Sequence, residues 1–532
     1  MQYDEGVYND PAAYGPGYEL AAYGSTPGTP GDYYTPASPG EFTPAEPEAK
    51  EPSSPGSGMW LTTVVLTTAI LLLVATSVAA VMIMANRSGS SRNEASETAV
   101  QHGSRGLVLP QEGHTNLTTP IRPAQRPTGQ PSRRVYLPPA ASTEAIEQMP
   151  LLCVMGEKFR SPKVFPDDGI CDYIFFDSLF KSDRNWLSRP ATYSYTLSTF
   201  LNDHRPYRST TLGVGFAYNN LATAEDDLKR RNPNPLALFW SRGICHAGIL
   251  DTPVMTSRNQ TLAAVATLKE INSLLDIPRQ RGNPCITALT VPDPELDWSL
   301  EYAMNFRDLD FNPHLLISLG HYRFGDNTVK DCAIMPPTRH PFDTPPDDIT
   351  NSYNYDLATT VYSIREFYLK TMNIRGLVSV TMKGRWTVPL SSEKVDFFSR
   401  CLSDPTANSF GSYTEVCPRT SLEPGDKNSA EFTYSDQHCA MITYIPGINR
   451  AFVYDNEEGL AVKLCSAKSD YPELKFGIAA FDIEYDDYDN KCASLNMYGR
   501  NSRLKQLKMV VDYFRGHSNH NFKEEACRII WE

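Results

Sequence analysis

The sequence predicts an α/β chain: a closed (β/α)8 barrel preceded by a single transmembrane helix and a disordered N-terminal tail. Three observations carry that expectation. From Pro150 onward, short runs that are apolar on both faces recur between amphipathic stretches, the pattern of a parallel sheet wrapped by helices. Met59–Ala85 runs for 27 residues without a charge or a proline. Ahead of it no apolar period exists at all. Over the 532 residues, 49 Lys+Arg face 62 Asp+Glu, and the net charge of −13 lacks the basic footprint of a general nucleic-acid binder. A hydrophobic share of 41% is enough to fill a core, which excludes wholesale disorder.

The tail, residues 1–58, holds ten Pro, nine Gly and seven Tyr, with Lys50 against nine acidic residues, a net charge of 1 − 9 = −8. Such a tract buries too little surface to offset its ordering entropy. Thr26-Pro27, Thr29-Pro30, Thr35-Pro36 and Ser38-Pro39, beside tyrosines, are candidate phosphorylation or adaptor sites on an otherwise solvated spacer. As a helix, residues 59–85 would span about 40 Å, enough to cross a bilayer with some tilt. They lie too far along the chain, and run too long, for a cleaved signal peptide. Residues 86–148, with seven Pro, seven Arg and no Lys, read as an extended, disordered stalk.

Orientation pits two signals against each other. Lys50 precedes the span while Arg87, Arg92 and Arg105 follow it, which by the positive-inside rule turns the C-terminal side inward. All 11 cysteines and the sequons at Asn86, Asn116 and Asn259 lie after the span, which turns that side outward. Long domains translocate largely regardless of charge, so the expectation is type II, at the plasma membrane with the C-terminal domain extracellular. Asn86 is close to the membrane, leaving Asn116 and Asn259 as glycosylation candidates. The odd cysteine count implies one free or intermolecular thiol.

In the domain 149–532, eight strands are expected at Leu151–Met155, Tyr173–Leu179, Thr211–Ala217, Cys245–Asp251, Cys285–Val291, Leu315–Gly320, Leu377–Met382 and Phe476–Ile483. Helices are expected at Ala222–Phe239, Leu262–Leu275, Tyr355–Met372, Glu457–Lys468 and Arg503–Phe514. Eight units over this length suit a closed barrel with insertions, the longest from Met382 to Lys475. A doubly wound open sheet is the rival, but no Gly-rich phosphate loop follows the first strand.

Several segments then become recognisable in order: LLCVM with GICDYIFFDSL, LLISLGHYRFGDN, LVSVTMKGRWTVPL, FVYDNEEGLAVKLCSAK and FDIEYDDYDNKC. Across nearly all of Pro150–Phe514 the chain resembles glycoside hydrolase family 18, the chitinases and chitinase-like lectins. It looks in particular like the divergent membrane-anchored or secreted members of ticks and related arthropods. The resemblance implies a disulfide between Cys153 and Cys171 and leaves Cys439 and Cys492 as candidates for another. It matches Gly384-Arg385 to the end of the seventh strand and Tyr454, Asp455 and Lys463 to the pattern before the last. It sets Phe481 at the position of the family's closing Trp.

The departures bear on function. Setting Pro253 on the family's proline brings Asp251 to the catalytic acid, with Ile249 and Ala247 where partner aspartates are expected. Strand alternation puts 247, 249 and 251 on one face, so the expected interior carries a single carboxylate between alkyl groups. Glycoside hydrolysis needs two carboxyl functions, or one acid with a substrate N-acetyl group oriented by a neighbouring aspartate. Asp is one methylene shorter than Glu, and misplacement by about 1 Å costs on the order of 10²-fold. The sixth-strand Met-X-Tyr-Asp is replaced by Leu319, Gly320, His321 and Tyr322. Asp251 serves either as a residual acid, its pKa raised by burial, or as the start of an Asp-Thr-Pro turn.

Ring-bearing ligand candidates are Tyr218, His321, Tyr322, Trp386, Tyr454 and Phe481, with ordinary packing as the alternative. No cofactor or metal site is expected. Read from Asp482, an EF-hand loop would need Gly and Glu where Asp487 and Ala493 stand, so the acids at 482–489 read as a rim. Neither a His-Glu-X-X-His nor a Cys-X-X-Cys occurs. The leading expectation is a single-pass membrane glycoprotein whose catalytically inactive barrel binds a glycan or a protein. The alternatives are a hydrolase of an N-acetylglucosamine-containing or other carbohydrate with Asp251 as general acid, and a structural head with a signalling tail.

Overall fold

The computed structural model describes residues 148–530 apart from short stretches, the longest being 323–331, 347–354 and 418–431. The tail, the apolar span 59–85, Asn116 and all of the stalk except Gln148 lie outside the described residues. Among the described residues, no helix is long and apolar enough to cross a membrane.

Eight parallel strands close into a (β/α)8 TIM barrel: β1 (Leu151–Met155), β2 (Tyr173–Phe176), β3 (Thr211–Ala217), β4 (Ile244–Asp251), β5 (Thr287–Val291), β6 (Leu315–Ser318), β7 (Arg375–Thr381) and β8 (Phe476–Phe481). Each strand pairs with its neighbours in sequence, and β8 closes on β1 through Leu151–Ile478 and Cys153–Ala480. Every residue of β1, β5, β6 and β8 is buried, as expected of strands covered on both faces.

Leu152, Val154, Phe175, Leu250, Ala288, Ile317, Leu377, Ala479 and Phe481 fill the interior. Ala247 and Ile249 pack instead with Val214 and Phe216 in the larger core shared with the helices. The expectation that 247, 249 and 251 share the interior face is therefore corrected. Phe216 pairs with Ile249 and Ala217 with Asp251, so Leu250 is the extra residue of an irregularity in the ladder. Alternation holds from 247 to 250, so the expectation is out by one face: Leu250 points inward, and the irregularity beyond it brings Asp251 to the rim.

The outer layer comprises α1 (Tyr195–Asp203), α2 (Leu221–Leu228), α3 (Arg258–Gln280), α4 (Leu296–Asp308), α5 (Leu357–Leu369), α6 (Glu457–Ser469) and α7 (Ser502–Gly516). The single helix expected over 222–239 is broken: α2 ends at Leu228 and a short helix resumes at Ala237, because Pro233 and Pro235 lie between. A capping box between Ser257 and Gln260 starts α3, while Asp356 and Asn456 cap α5 and α6.

Between β7 and α6 the insertion builds a five-stranded antiparallel sheet in the order Ser409–Gly411, Gly384–Thr387, Arg450–Tyr454, Ala440–Ile445, Thr433–Ser435. Five disulfides cross-link strands, helices and loops of the domain: Cys153–Cys171, Cys245–Cys285, Cys332–Cys401, Cys417–Cys492 and Cys465–Cys527. Cys439 does not bond Cys492. It sits buried ahead of the Ala440–Ile445 strand, with its thiol donating to the Asp436 carbonyl at 3.4 Å, while Cys417 lies 5.7 Å from Cys492 between Cα atoms.

Candidate functional site

A cavity of about 440 Å³ opens where the strands end. It falls within the roughly 300–1,000 Å³ range of small-molecule sites and occupies the face on which parallel barrels carry their chemistry. Its lining comes from six of the eight strand ends: Gly156, Glu157 and Lys158 after β1, Asp177 after β2, Leu250 and Asp251 from β4, Leu319 and His321 after β6, Lys383 after β7, and Phe481, Asp482 and Glu484 at and after the end of β8. The insertion contributes Asn408, Ser409 and Phe410.

Lys383 is the cation at the centre of this set. Its Nζ lies 3.1 Å from Asp482 Oδ2 and 4.4 Å from the centroid of the Phe410 ring. Thr381 donates its hydroxyl to the same Asp482 oxygen at 2.7 Å. Glu484 Oε2 accepts the Gly156 N–H at 2.9 Å. A Cβ on residue 156 would lie 2.6 Å from Glu484 Oε1, so a larger residue there would displace that carboxylate.

Among the described residues, Asp177 Oδ1 is buried and has no hydrogen-bond partner. Burial, followed by the nearby charges of Asp251, Asp482 and Glu484, pushes the Asp177 carboxyl well above its ordinary range, against the pull of Lys383. Burial and Asp482 raise Glu484 to about 7. Asp251 reaches solvent at the rim, yet the protein wall on its inner side and the charge of Asp482 raise its carboxyl, opposed by Lys383 and a hydrogen bond from Ser178. Among the described residues, no three His, Cys, Asp or Glu converge at the spacing a metal ion requires.

The premise of a solitary acid is corrected by this geometry, since Asp251 shares its cavity with Asp177, Asp482 and Glu484. Sequence reasoning passed over Asp177 and Lys383, and read Asp482 and Glu484 as rim acids. The available signal was a polar residue directly after each apolar strand. Phe410 carried no such signal, because it arrives from the insertion.

Of the six ring-bearing candidates, His321 and Phe481 line the cavity, with centroids 4.9 Å apart, and His321 Nδ1 is bonded to Ser379 Oγ at 2.8 Å. The other four are packed away from the cavity. The buried Tyr218 donates its hydroxyl to the Thr290 carbonyl at 2.6 Å. Tyr322, fully buried, stacks behind Phe410 at 5.3 Å. Trp386 packs on Phe452 at 4.7 Å within the insertion sheet and donates to Glu415. Tyr454 stacks on Tyr413 at 5.0 Å. Each is a large amphipathic ring filling an interface, and the polar atoms of Tyr218, Tyr322 and Trp386 find partners. Asn259 is exposed in the first turn of α3 and does not line the cavity.

A second cavity of about 340 Å³ adjoins the first and shares Lys158, Phe410, Glu484 and Tyr485 with it. Glu415, Tyr488, Asp489 and Lys491 complete its far side.

Fold and site together define a parallel α/β barrel with an acidic, ring-walled cavity at its C-terminal mouth. No family model and no curated protein sequence matches the chain. Among solved structures the chain is similar to an immunomodulatory active chitinase from Trichuris suis, at 12% identity over 68% of this chain and 99% of that one, with a TM-score of 0.48. It is similar to the class V chitinase from Nicotiana tobaccum at 11% identity, over 68% and 99% of the two chains, with a TM-score of 0.46. Human YKL-39, a pseudo-chitinase with retained chitooligosaccharide binding properties, shares 11% identity over 68% and 98%, also at 0.46. A likeness of this degree speaks to neither activity nor ligand.

Proposed function

We propose that the barrel mouth binds a carbohydrate. One observation carries this reading: a single cavity sets the rings of Phe410 and Phe481 beside the carboxyl groups of Asp177, Asp251, Asp482 and Glu484. Sugar rings present C–H faces that pack on aromatic rings and hydroxyls that need acceptors, and both are supplied here. The interior position at the end of β4 is occupied by Leu250, which favours recognition over hydrolysis by the β4 acid. We further propose that residues 59–85 anchor the chain in the plasma membrane with the barrel outside. The five disulfides suit an oxidising compartment.

The test is titration of the full-length chain with amino-sugar oligomers. Phe410→Leu is expected to weaken binding about tenfold, since it keeps apolar bulk and removes the ring. Absence of binding to every oligomer would reject the proposal. A hydrolase is the second reading, favoured by carboxyl groups of unequal proton affinity around one cavity. It requires turnover of a fluorogenic chitobioside that disappears in Glu484→Gln.

A further inference from the structure

We infer that the carbohydrate taken by this cavity carries a free ammonium group, as in a glucosamine unit that is not N-acetylated. The inference rests on the carbohydrate reading above and narrows its ligand class. The first cavity is lined by five acidic residues, Glu157, Asp177, Asp251, Asp482 and Glu484, against two basic ones, Lys158 and Lys383. Lys383 is already committed to Asp482. Asp177, Asp251 and Glu484 have no such ion-pair partner among the described residues, and Asp177 Oδ1 is buried without a donor.

An acetamido group would bring one N–H and a carbonyl acceptor to a wall that consists mainly of acceptors. An ammonium brings three donors and a positive charge to the same wall. A bare metal ion does not suit it, because no three ligating groups converge at chelating distance among the described residues. An organic cation reaches carboxylates spread around a cavity of this size. The adjoining cavity adds Glu415 and Asp489, beside Lys491, on its far side, with Glu484 as the shared wall, so a sugar chain running through both meets acidic groups in each. The raised proton affinities of Asp177, Asp251 and Glu484 fit a cluster that is short of a cation.

The experiment compares a glucosamine tetramer, an N-acetylglucosamine tetramer and spermidine by calorimetric titration of the full-length chain at pH 6.0. The glucosamine tetramer is expected to bind at least tenfold tighter than its acetylated counterpart in 50 mM salt, and the advantage to shrink several-fold in 500 mM salt. Asp177→Asn combined with Glu484→Gln is expected to erase the preference. Should that pair fail to fold, Asp251→Asn at the solvent-exposed rim is expected to reduce it several-fold. Equal or tighter binding of the acetylated tetramer, or a preference indifferent to salt, overturns the inference and leaves the carbohydrate reading standing. Binding of neither tetramer overturns both, as does spermidine binding as tightly as the glucosamine tetramer.

Discussion

Between Asp482 and Asp489 five carboxylates follow β8 within eight residues, and they divide into two regions with opposite fates. Asp482 and Glu484 face the cavity, and the charge of Asp482 helps to hold the Glu484 proton on. Two and three residues after Glu484, Asp486 and Asp487 are buried and fully bonded. Asp486 receives Arg503 Nε at 3.0 Å and the Leu504 N–H at 3.2 Å. Asp487 receives the Lys491 and Cys492 N–H groups at 2.9 and 2.7 Å and Asn496 Nδ2 at 2.9 Å. Asp482 is half-buried, but Glu484 is buried like Asp486 and Asp487. What differs is the supply of donors, and a buried acid without enough of them is a group waiting for a ligand.

The largest effect should come from breaking the satisfied region. Arg503 also donates to the carbonyls of Asp455, Met382 and Tyr485 and lies 4.6 Å over the Tyr413 ring. Arg503→Ala leaves Asp486 buried without its counter-charge and is expected to lose about 3–5 kcal/mol in urea unfolding. An unchanged midpoint would erase the distinction between the two regions.

The converse holds at the cavity. Glu484 has a folded-state pKa raised from 4.5 to about 7, so the native state holds this proton more tightly than the unfolded chain. The resulting stability is full below about pH 4.5 and disappears as pH rises through 7. At roughly 1.4 kcal/mol per unit, it amounts to about 3 kcal/mol. Glu484→Gln should match the wild type at pH 4 and exceed it at pH 8. A mutant less stable at pH 8 would move Glu484 into the satisfied class.

The same contrast explains what the sequence could be made to say. All eight strands are legible because a strand covered on both faces needs a continuous apolar run, and LLCVM or TLGVGFA has no other use in a soluble fold. Helix α4 is missed although Ser299, Tyr302, Ala303 and Phe306 follow helical spacing, because a buried serine opens the stripe. Helix α1, nine residues long, is too brief for its period to stand out. In the site, Asp177 and Lys383 are readable as polar residues directly after strands. The inward face of Leu250 is not, since alternation fixes only that 247 and 249 oppose 250, and a strand apolar on both faces leaves unmarked which set turns inward. Phe410 depends on the folding of an insertion whose strands run to three residues, below what alternation can detect.

Rings sharpen the comparison at a smaller scale. Phe410→Leu alters the cavity wall, whereas Trp386→Leu alters only the insertion sheet, where the indole packs on Phe452. Sugar affinity is expected to fall about tenfold in the first, about 1.4 kcal/mol, and to stay within about twofold in the second. Equal losses would mean that the mouth and the insertion act as one unit in binding.

The smallest expected effect concerns Asn259, and its value lies in what it separates. The residue follows the Ser257 cap, is exposed in the first turn of α3, and stands outside the cavity wall despite belonging to the helix that follows β4. If the barrel is delivered to the lumen of the secretory pathway, its Asn-Gln-Thr sequon is open to modification. Endoglycosidase digestion should then lower the apparent mass, by less in Asn259→Gln than in the wild type, while sugar affinity changes by no more than about twofold. A wild-type chain from secretory-competent cells that shows no shift argues against an extracellular barrel. A shift accompanied by a large gain of affinity in Asn259→Gln would show that the glycan reaches the mouth, extending the ligand-facing region beyond the residues that line it.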